Sequence, residues 1–189
     1  MVNKQVIVSF SSRKNGNCYN IARYIDQIEN VSAIYAFSDF EIHACGGCEY
    51  ECFRDRLNCP YIDDAECAIL EEICSASCAY LIVPSYCDYP CANFFIYNER
   101  SLCYFQGRSS MLDRYLNVPK KFIVVGNGLE DNFRTAFMQH VAGEPNILVM
   151  RSKDYQKNSL AGDLITSEAA CQVVRQFVSV RTADGNHLL

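Results

Sequence analysis

Long apolar runs and clusters of basic residues are both absent from this 189-residue sequence. Because no run of 18 apolar residues occurs, no membrane-spanning helix and no membrane partner are predicted. Acidic residues outnumber basic ones, 22 against 17, which gives a formal net charge of −5 and argues against nucleic acid as the main partner. The first residues lead directly into an apolar, β-branched run, so no signal peptide is expected. These absences together predict a cytoplasmic protein.

Two common nucleotide-binding motifs are also missing. The chain contains neither Gly-x-x-x-x-Gly-Lys-Ser/Thr, which holds a triphosphate, nor Gly-x-Gly-x-x-Gly, which holds a dinucleotide. Instead, the strand-like run Val6–Val8 precedes a polar loop at residues 9–17, and helical spacing of Ile21, Ala22 and Ile25 follows. This order directs backbone N–H groups and a helix dipole at one point, which suits a phosphate monoester. An ordinary strand-to-helix turn is the competing interpretation.

Apolar runs of strand length alternate with helical patterns along the chain. The predicted strands lie at residues 6–8, 31–37, 79–84, 121–127 and 145–150, and the predicted helices follow the polar loop and cover residues 64–78, 94–105, 131–142 and 168–180. Such alternation predicts an α/β fold, a three-layer doubly wound sheet of five parallel strands. Ligands of such sheets bind beyond the carboxyl ends of the strands. Residues 1–181 are predicted to form a single domain, and residues 182–189 a C-terminal tail.

Helix ends can also be predicted from the residues beside them. Asp63 or Asp64 is expected to cap the 64–78 helix, and Asp131 and Gly143 are expected to begin and end the 131–142 helix. Three cysteines share one face of the 64–78 pattern and are interpreted as small buried apolar residues, namely Cys67, Cys74 and Cys78.

Cysteine is abundant, with twelve residues in all. Four of them lie close together, namely Cys45, Cys48, Cys52 and Cys59. In a reducing compartment such a run indicates metal, cluster or redox chemistry before structural disulfides. Four thiolates with two glycines between them could hold a [4Fe–4S] cluster or a zinc ion, and free thiols or a redox disulfide remain the alternatives.

Residues 11–17 resemble the phosphate loop of the flavodoxin-like NAD(P)H-dependent FMN reductases and their iron–sulfur flavoprotein relatives. That family usually shows Gly-Ser-Pro-Arg-Lys-x-Gly-Asn-Thr, and here Phe10, Ser12 and Cys18 replace its Gly, Pro and Thr. Cys18 loses a hydroxyl donor and keeps its backbone N–H. Three further motifs follow in the family's order: the cysteine run, the tyrosine-rich loop 84–93, and residues 111–114, which resemble Phe-x-Asp-Arg.

The resemblance implies a flavodoxin-like strand order, an FMN cofactor and NAD(P)H as electron donor. An isoalloxazine ring needs apolar or aromatic contact and nearby backbone N–H groups, which the loops at 84–89 and 126–131 offer. A tyrosine-rich surface loop and a plain glycine turn are the alternatives. The implied cofactor-binding residues are Ser11, Arg13, Asn15, Asn17, Cys18, Pro84, Ser85, Tyr86, Cys87, Asp88, Tyr89, Asn127 and Gly128. No side chain is assigned as catalytic.

The main functional prediction is therefore an oxidoreductase that passes electrons from NAD(P)H through FMN to a small-molecule acceptor. The resemblance also implies a homodimer or a higher homo-oligomer. One alternative is an iron–sulfur flavoprotein electron carrier, with a [4Fe–4S] cluster on Cys45, Cys48, Cys52 and Cys59 and a ferredoxin-like donor. Another alternative is a flavin-free thiol sensor or a zinc-stabilised binding module.

Overall fold

The computed structural model describes residues 4–180, and a parallel sheet lies at their centre. Its strands are β1 (Gln5–Ser9), β2 (Ala33–Ala36), β3 (Cys78–Tyr86), β5 (Lys120–Val125) and β6 (Asn146–Met150). They pair in the order β2-β1-β3-β5-β6, and every pair is parallel. A two-residue strand, β4 (Tyr89–Pro90), folds back antiparallel onto the end of β3. The predicted five-stranded, doubly wound fold class is confirmed.

Helices cover both faces of the sheet. They are α1 (Asn17–Glu29), α2 (Ala65–Ser75), α3 (Ala92–Phe105), α4 (Ser109–Asn117), α5 (Glu130–Phe137) and α6 (Glu168–Ser179). Helices α1 and α6 pack on one face, and α2 to α5 pack on the other. No helix among residues 4–180 is long and apolar enough to cross a membrane.

Two separate apolar cores result from the alternation of side chains along each strand. In β3, Leu81 and Val83 contribute to the core beneath α2 to α5, whereas Tyr80 and Ile82 contribute to the core beneath α1 and α6. All four side chains are almost completely buried. Burial on both faces explains why the strands are continuous apolar runs in the sequence.

Several predicted boundaries were wrong by a few residues. The 64–78 helix ends at Ser75, because Cys78 already begins β3. The 131–142 helix begins at Glu130 and ends at Phe137, followed by a short 3-10 helix (Met138–His140), so Asp131 is not its cap and Gly143 does not end it. Helix α4 was not predicted. The proposed C-terminal tail lies outside the described residues.

Asp64 occupies the N-cap position of α2, but its carboxylate does not cap the helix. It accepts a hydrogen bond from Arg100 of α3, at 2.6 Å, and another from the backbone N–H of His43, at 2.9 Å. Because Arg100 is only 3% exposed, its guanidinium needs a carboxylate partner more than the helix terminus does. These hydrogen bonds lower the pKa of Asp64 against the opposing effect of burial.

Candidate functional site

An open cleft of about 520 Å³ lies beyond the carboxyl ends of β1, β3 and β5. The chain reverses its winding direction between β1 and β3, and doubly wound sheets bind ligands at such a point. The volume lies within the range of about 300–1,000 Å³ that is typical of small-molecule and cofactor sites. The cleft is lined by Ser11, Arg13, Gly16, Asn17, Cys18, Pro84, Ser85, Tyr86, Cys87, Asp88, Val125, Gly126, Asn127, Ser152, Ser159 and Leu160.

The first turn of α1 forms one end of the cleft. Gly16 is the N-cap residue of this 13-residue helix, no side chain caps it, and no acidic residue lies in its first turn. Its backbone N–H groups are therefore available to a ligand, together with the positive end of the helix dipole. The Ser11 hydroxyl accepts a hydrogen bond from the backbone N–H of Arg13, at 3.2 Å, which shapes the turn before the helix. This end of the cleft has the character of an anion site.

Side chains of the loop and of α1 fasten it to the segment that follows β6. The Asn17 amide donates to the carbonyl oxygen of Ser159, at 3.3 Å, and the Asn17 side-chain oxygen accepts from the N–H of Leu164, at 3.0 Å. The Arg13 guanidinium donates to the carbonyl oxygen of Leu160, at 2.7 Å. Asn17 is therefore a structural residue through its side chain, and only its backbone N–H is left for a ligand.

The same two segments approach closely at Gly162 and Asn15. A Cβ atom on Gly162 would lie 2.2 Å from the carbonyl oxygen of Asn15, and the φ of Gly162 is +73°. Both the contact and the backbone conformation require glycine here. The Asn20 amide completes the junction by donating to the carbonyl oxygen of Gly162, at 2.7 Å.

A tight hairpin between β3 and β4 forms the opposite wall. Cys87 and Asp88 are its two central residues, and both have positive φ, 50° and 67°, as a type I′ turn requires. The Asp88 carboxylate accepts hydrogen bonds from the N–H of Leu129 and from the Asn132 amide. Those two residues belong to the loop after β5 and to α5, so the hairpin is attached to the neighbouring loop. Tyr86 remains 56% exposed at the cleft.

Two glycines allow the loop after β5 to lie against the hairpin. A Cβ atom on Gly126 would lie 3.0 Å from the Cβ of Ser85, and one on Gly128 would lie 2.5 Å from the Phe133 ring. Gly126 has a φ of +134°, which also favours glycine. The exposed backbone between these glycines is therefore held beside the cleft, where a flat ring could approach it.

Thiols lie at the base of the cleft, and burial makes them poor nucleophiles. Burial and the neighbouring Cys91 thiol raise the pKa of Cys18 far above its usual value. Burial likewise raises the pKa of Cys91 to about 11. Because only a thiolate attacks readily, neither residue is suited to nucleophilic chemistry near neutral pH.

Ten of the thirteen residues that the resemblance implied line this one cleft. The other three, Asn15, Tyr89 and Gly128, lie in the surrounding loops and do not line it. Three lining residues come from a segment that the sequence analysis did not assign to the site: Ser152, Ser159 and Leu160. The only available signal was the polar, glycine-containing stretch 151–163 directly after the last strand.

The cysteine run does not assemble as predicted. Within residues 4–180, no group of three or more His, Cys, Asp or Glu side chains is placed to hold a metal ion. Instead, Cys103 of α3 forms thiol hydrogen bonds with Cys52 and Cys45. Burial and these contacts raise the pKa of Cys103 to about 12. The residues present therefore do not fit a cluster held by Cys45, Cys48, Cys52 and Cys59.

Comparison with known proteins supports the same architecture. No family model matches the chain, and no curated protein matches it either. Among solved structures, the Trp repressor binding protein from Bacillus subtilis matches with a TM-score of 0.62 and 13% identity, covering 94% of this chain and 99% of the other. The flavoenzyme NAD(P)H:(acceptor) oxidoreductase FerB from Paracoccus denitrificans gives 0.56 and 10% identity, with coverages of 94% and 96%. RosB, solved with a bound flavin-type intermediate, gives 0.54 and 11% identity, with coverages of 94% and 81%.

The chain has the flavodoxin-like fold. The resemblance that four sequence motifs indicated is thereby confirmed at the level of the fold. At identities of 10–13%, these structures share an architecture with the chain, and the assignment of a ligand depends on its own residues.

Proposed function

We propose that the protein is an FMN-binding oxidoreductase that passes electrons from NAD(P)H to a small-molecule acceptor. One observation carries the proposal: the uncapped first turn of α1 and the paired loops after β3 and β5 border the same cleft. An anion site at one end and an aromatic, backbone-rich wall at the other match a phosphorylated flavin. The oxidoreductase titles of two structural neighbours, FerB and flavone reductase, support it further.

In this proposal, the phosphate is bound by the backbone N–H groups at the start of α1, the Ser11 hydroxyl and Arg13. Arg13 is the cationic residue that lines the cleft, and Asp88, the carboxylate there, is already engaged by Leu129 and Asn132. A single cation among neutral donors suits a phosphate monoester better than a triphosphate, whose larger charge calls for more cations or a metal.

The ring is placed between the hairpin and the loop after β5. Tyr86 supplies an aromatic face, while Asn127 and the backbone around Gly126 supply polar groups. FMN, when bound, supplies the hydride and electron-transfer chemistry. The protein binds and orients it, and no side chain of the cleft is required as an acid or a base.

A homodimer belongs to the same proposal. Phe95 and Leu102 lie seven residues apart on α3, which places them on one face, and they are 47% and 69% exposed. Covering such apolar side chains favours self-association. Sedimentation of the wild type and of Leu102→Lys tests this part separately, since a dimer that becomes a monomer in the variant is the expected result.

The cofactor proposal is tested with protein purified without oxygen and then mixed with FMN, riboflavin or buffer. We expect FMN to bind more tightly than riboflavin, and the flavin absorbance of the FMN complex to bleach when NADPH or NADH is added. Failure to bind either flavin would contradict the proposal and favour a flavin-free thiol sensor. Tight binding without bleaching by either nucleotide would limit the proposal to an electron carrier.

A further inference from the structure

A second group of reactive side chains lies away from the cleft, between the cysteine-rich loop (residues 43–63) and helix α3. The thiol of Cys103 contacts the thiols of both Cys52 and Cys45. Cys52 and Cys103 also line one small hollow, together with Cys59 and Cys67. Cys48 belongs neither to these thiol contacts nor to the lining of the hollow, as far as residues 4–180 are concerned. The arrangement therefore differs from the four-cysteine set that the sequence predicted.

The fold holds this loop against the turn of α3 that precedes Cys103. The Glu99 carboxylate accepts a hydrogen bond from the N–H of Cys45, at 3.2 Å. The adjacent Arg100 donates to the carbonyl oxygens of His43, at 2.9 Å, and Tyr61, at 2.8 Å. These two carbonyls lie near opposite ends of the loop. Both ends are thus fastened to one helical turn, and Cys103 lies four residues after Glu99, on the same face.

We propose that Cys103 is the partner of the cysteine-rich loop in a dithiol–disulfide centre, closing a bond with Cys52 while Cys45 acts as the exchanging thiol. The substrate class is a small disulfide. The inference does not depend on flavin binding. It also differs from a metal centre, because the donor set that a cluster would need is not assembled among residues 4–180.

The proposed reaction is a two-step thiol–disulfide exchange. One protein thiolate attacks a sulfur atom of the small disulfide, which breaks the S–S bond and releases one small thiol. The second protein thiol, as its thiolate, then attacks the mixed disulfide and releases the other small thiol. Two protein thiols are oxidised, one small disulfide is reduced to two thiols, and the protein loses two hydrogen atoms.

Trypsin makes the proposed bond easy to distinguish from one inside the loop. Cleavage after Arg23, Arg54, Arg100 and Arg108 leaves Cys45, Cys48 and Cys52 on one peptide and Cys103 alone on another. The reduced protein is incubated with glutathione disulfide, its remaining thiols are blocked with iodoacetamide, and the digest is analysed by mass spectrometry without reduction. We expect a cross-link between peptides 24–54 and 101–108 that dithiothreitol abolishes.

Variants assign the bond within the first peptide. Cys52→Ser is expected to divert the cross-link to Cys45, whereas Cys48→Ser, a matched control from the same loop, is expected to leave the yield unchanged. The wild-type digest decides the question even if a variant fails to fold. A cross-link confined to peptide 24–54, or no cross-link at all, would overturn the inference. Stoichiometric iron or zinc in protein purified without oxygen, lost in both Cys45→Ser and Cys103→Ser, would also overturn it.

Discussion

The guanidinium of Arg13 donates a hydrogen bond to the carbonyl oxygen of Leu160 across the anion end of the cleft, at 2.7 Å. A phosphate bound there would lie beside a cation that the protein already holds in position, and charge-assisted hydrogen bonds of this kind contribute about 1.5–3 kcal/mol. Arg13→Ala is therefore expected to weaken FMN binding by roughly 10- to 100-fold. Riboflavin binding should change little, because riboflavin has no phosphate.

Lys14 offers a matched control for this prediction. It is the next residue, it is also cationic, and it pairs with Asp39, at 3.1 Å, without lining the cleft. Fluorescence titrations of FMN and riboflavin with Lys14→Ala should resemble those of the wild type. Equal losses for both flavins in Arg13→Ala would show that the arginine supports the loop and does not bind phosphate.

Gly162→Ala is expected to damage both stability and cofactor binding. The new methyl group would meet the carbonyl oxygen of Asn15 at 2.2 Å, so the phosphate loop or the segment after β6 must move. Gly107 provides the control, since its φ of +70° is similar but nothing lies within 4 Å of its Cβ position. Gly107→Ala should lose about 1 kcal/mol of unfolding free energy through its backbone alone. Urea unfolding should show a larger loss for Gly162→Ala, and weaker FMN binding only in that variant.

The two tyrosines of the hairpin are expected to differ in function although they are almost equally exposed, at 56% for Tyr86 and 57% for Tyr89. Only Tyr86 lines the cleft. An aromatic contact contributes about 0.5–1.5 kcal/mol, so Tyr86→Ala should weaken FMN binding by about two- to tenfold. Tyr89→Ala should bind FMN like the wild type. The opposite order in a fluorescence titration would place the ring on the other side of the hairpin.

His140 is expected to make the protein sensitive to acid. Its ring is 1% exposed, its Nδ1 atom is hydrogen bonded to the Tyr115 hydroxyl at 2.8 Å, and burial and the nearby Lys120 lower its pKa to about 3. Between this value and the ordinary pKa of about 6.5, the unfolded chain binds a proton that the native state does not. The free energy of unfolding therefore falls as pH decreases through this range.

His140→Gln removes the titrating group and keeps a polar side chain of similar reach. The variant should be less stable at pH 7, but the wild type should lose up to about 1.4 kcal/mol more per pH unit between pH 6 and 4. Urea unfolding of both proteins across this range is the measurement. Parallel losses in the two proteins would assign the acid sensitivity to other groups.

The parts of the site that follow from local sequence patterns were the parts that could be predicted. Strand, polar loop and helix occur consecutively from Val6 to Glu29, so the anion end of the cleft could be placed from the sequence alone. Ser159 could not, because hydrogen bonds from Asn17, 142 residues away, bring it to the cleft. Cys103 was likewise hidden, since its contacts with Cys52 join an aromatic helix to a distant loop.

The same limit explains the role of Asp64. Its position before a helix correctly predicts the N-cap place, yet its partner is Arg100, 36 residues further along the chain. A buried guanidinium competes for the carboxylate more strongly than the exposed N–H groups of a helix end do, because the guanidinium has lost its water. Local preference therefore determines where α2 begins, and a long-range contact determines what the side chain binds.

Asp88 has a consequence for any attempt to transplant this cleft into another scaffold. Because its carboxylate binds the N–H of Leu129 and the amide of Asn132, the hairpin and the loop after β5 form one mechanical unit. Exchanging either loop alone would leave a carboxylate or an N–H group without its counterpart. A chimera should therefore exchange the two loops together, with residues 85–90 and 126–132 treated as a single graft.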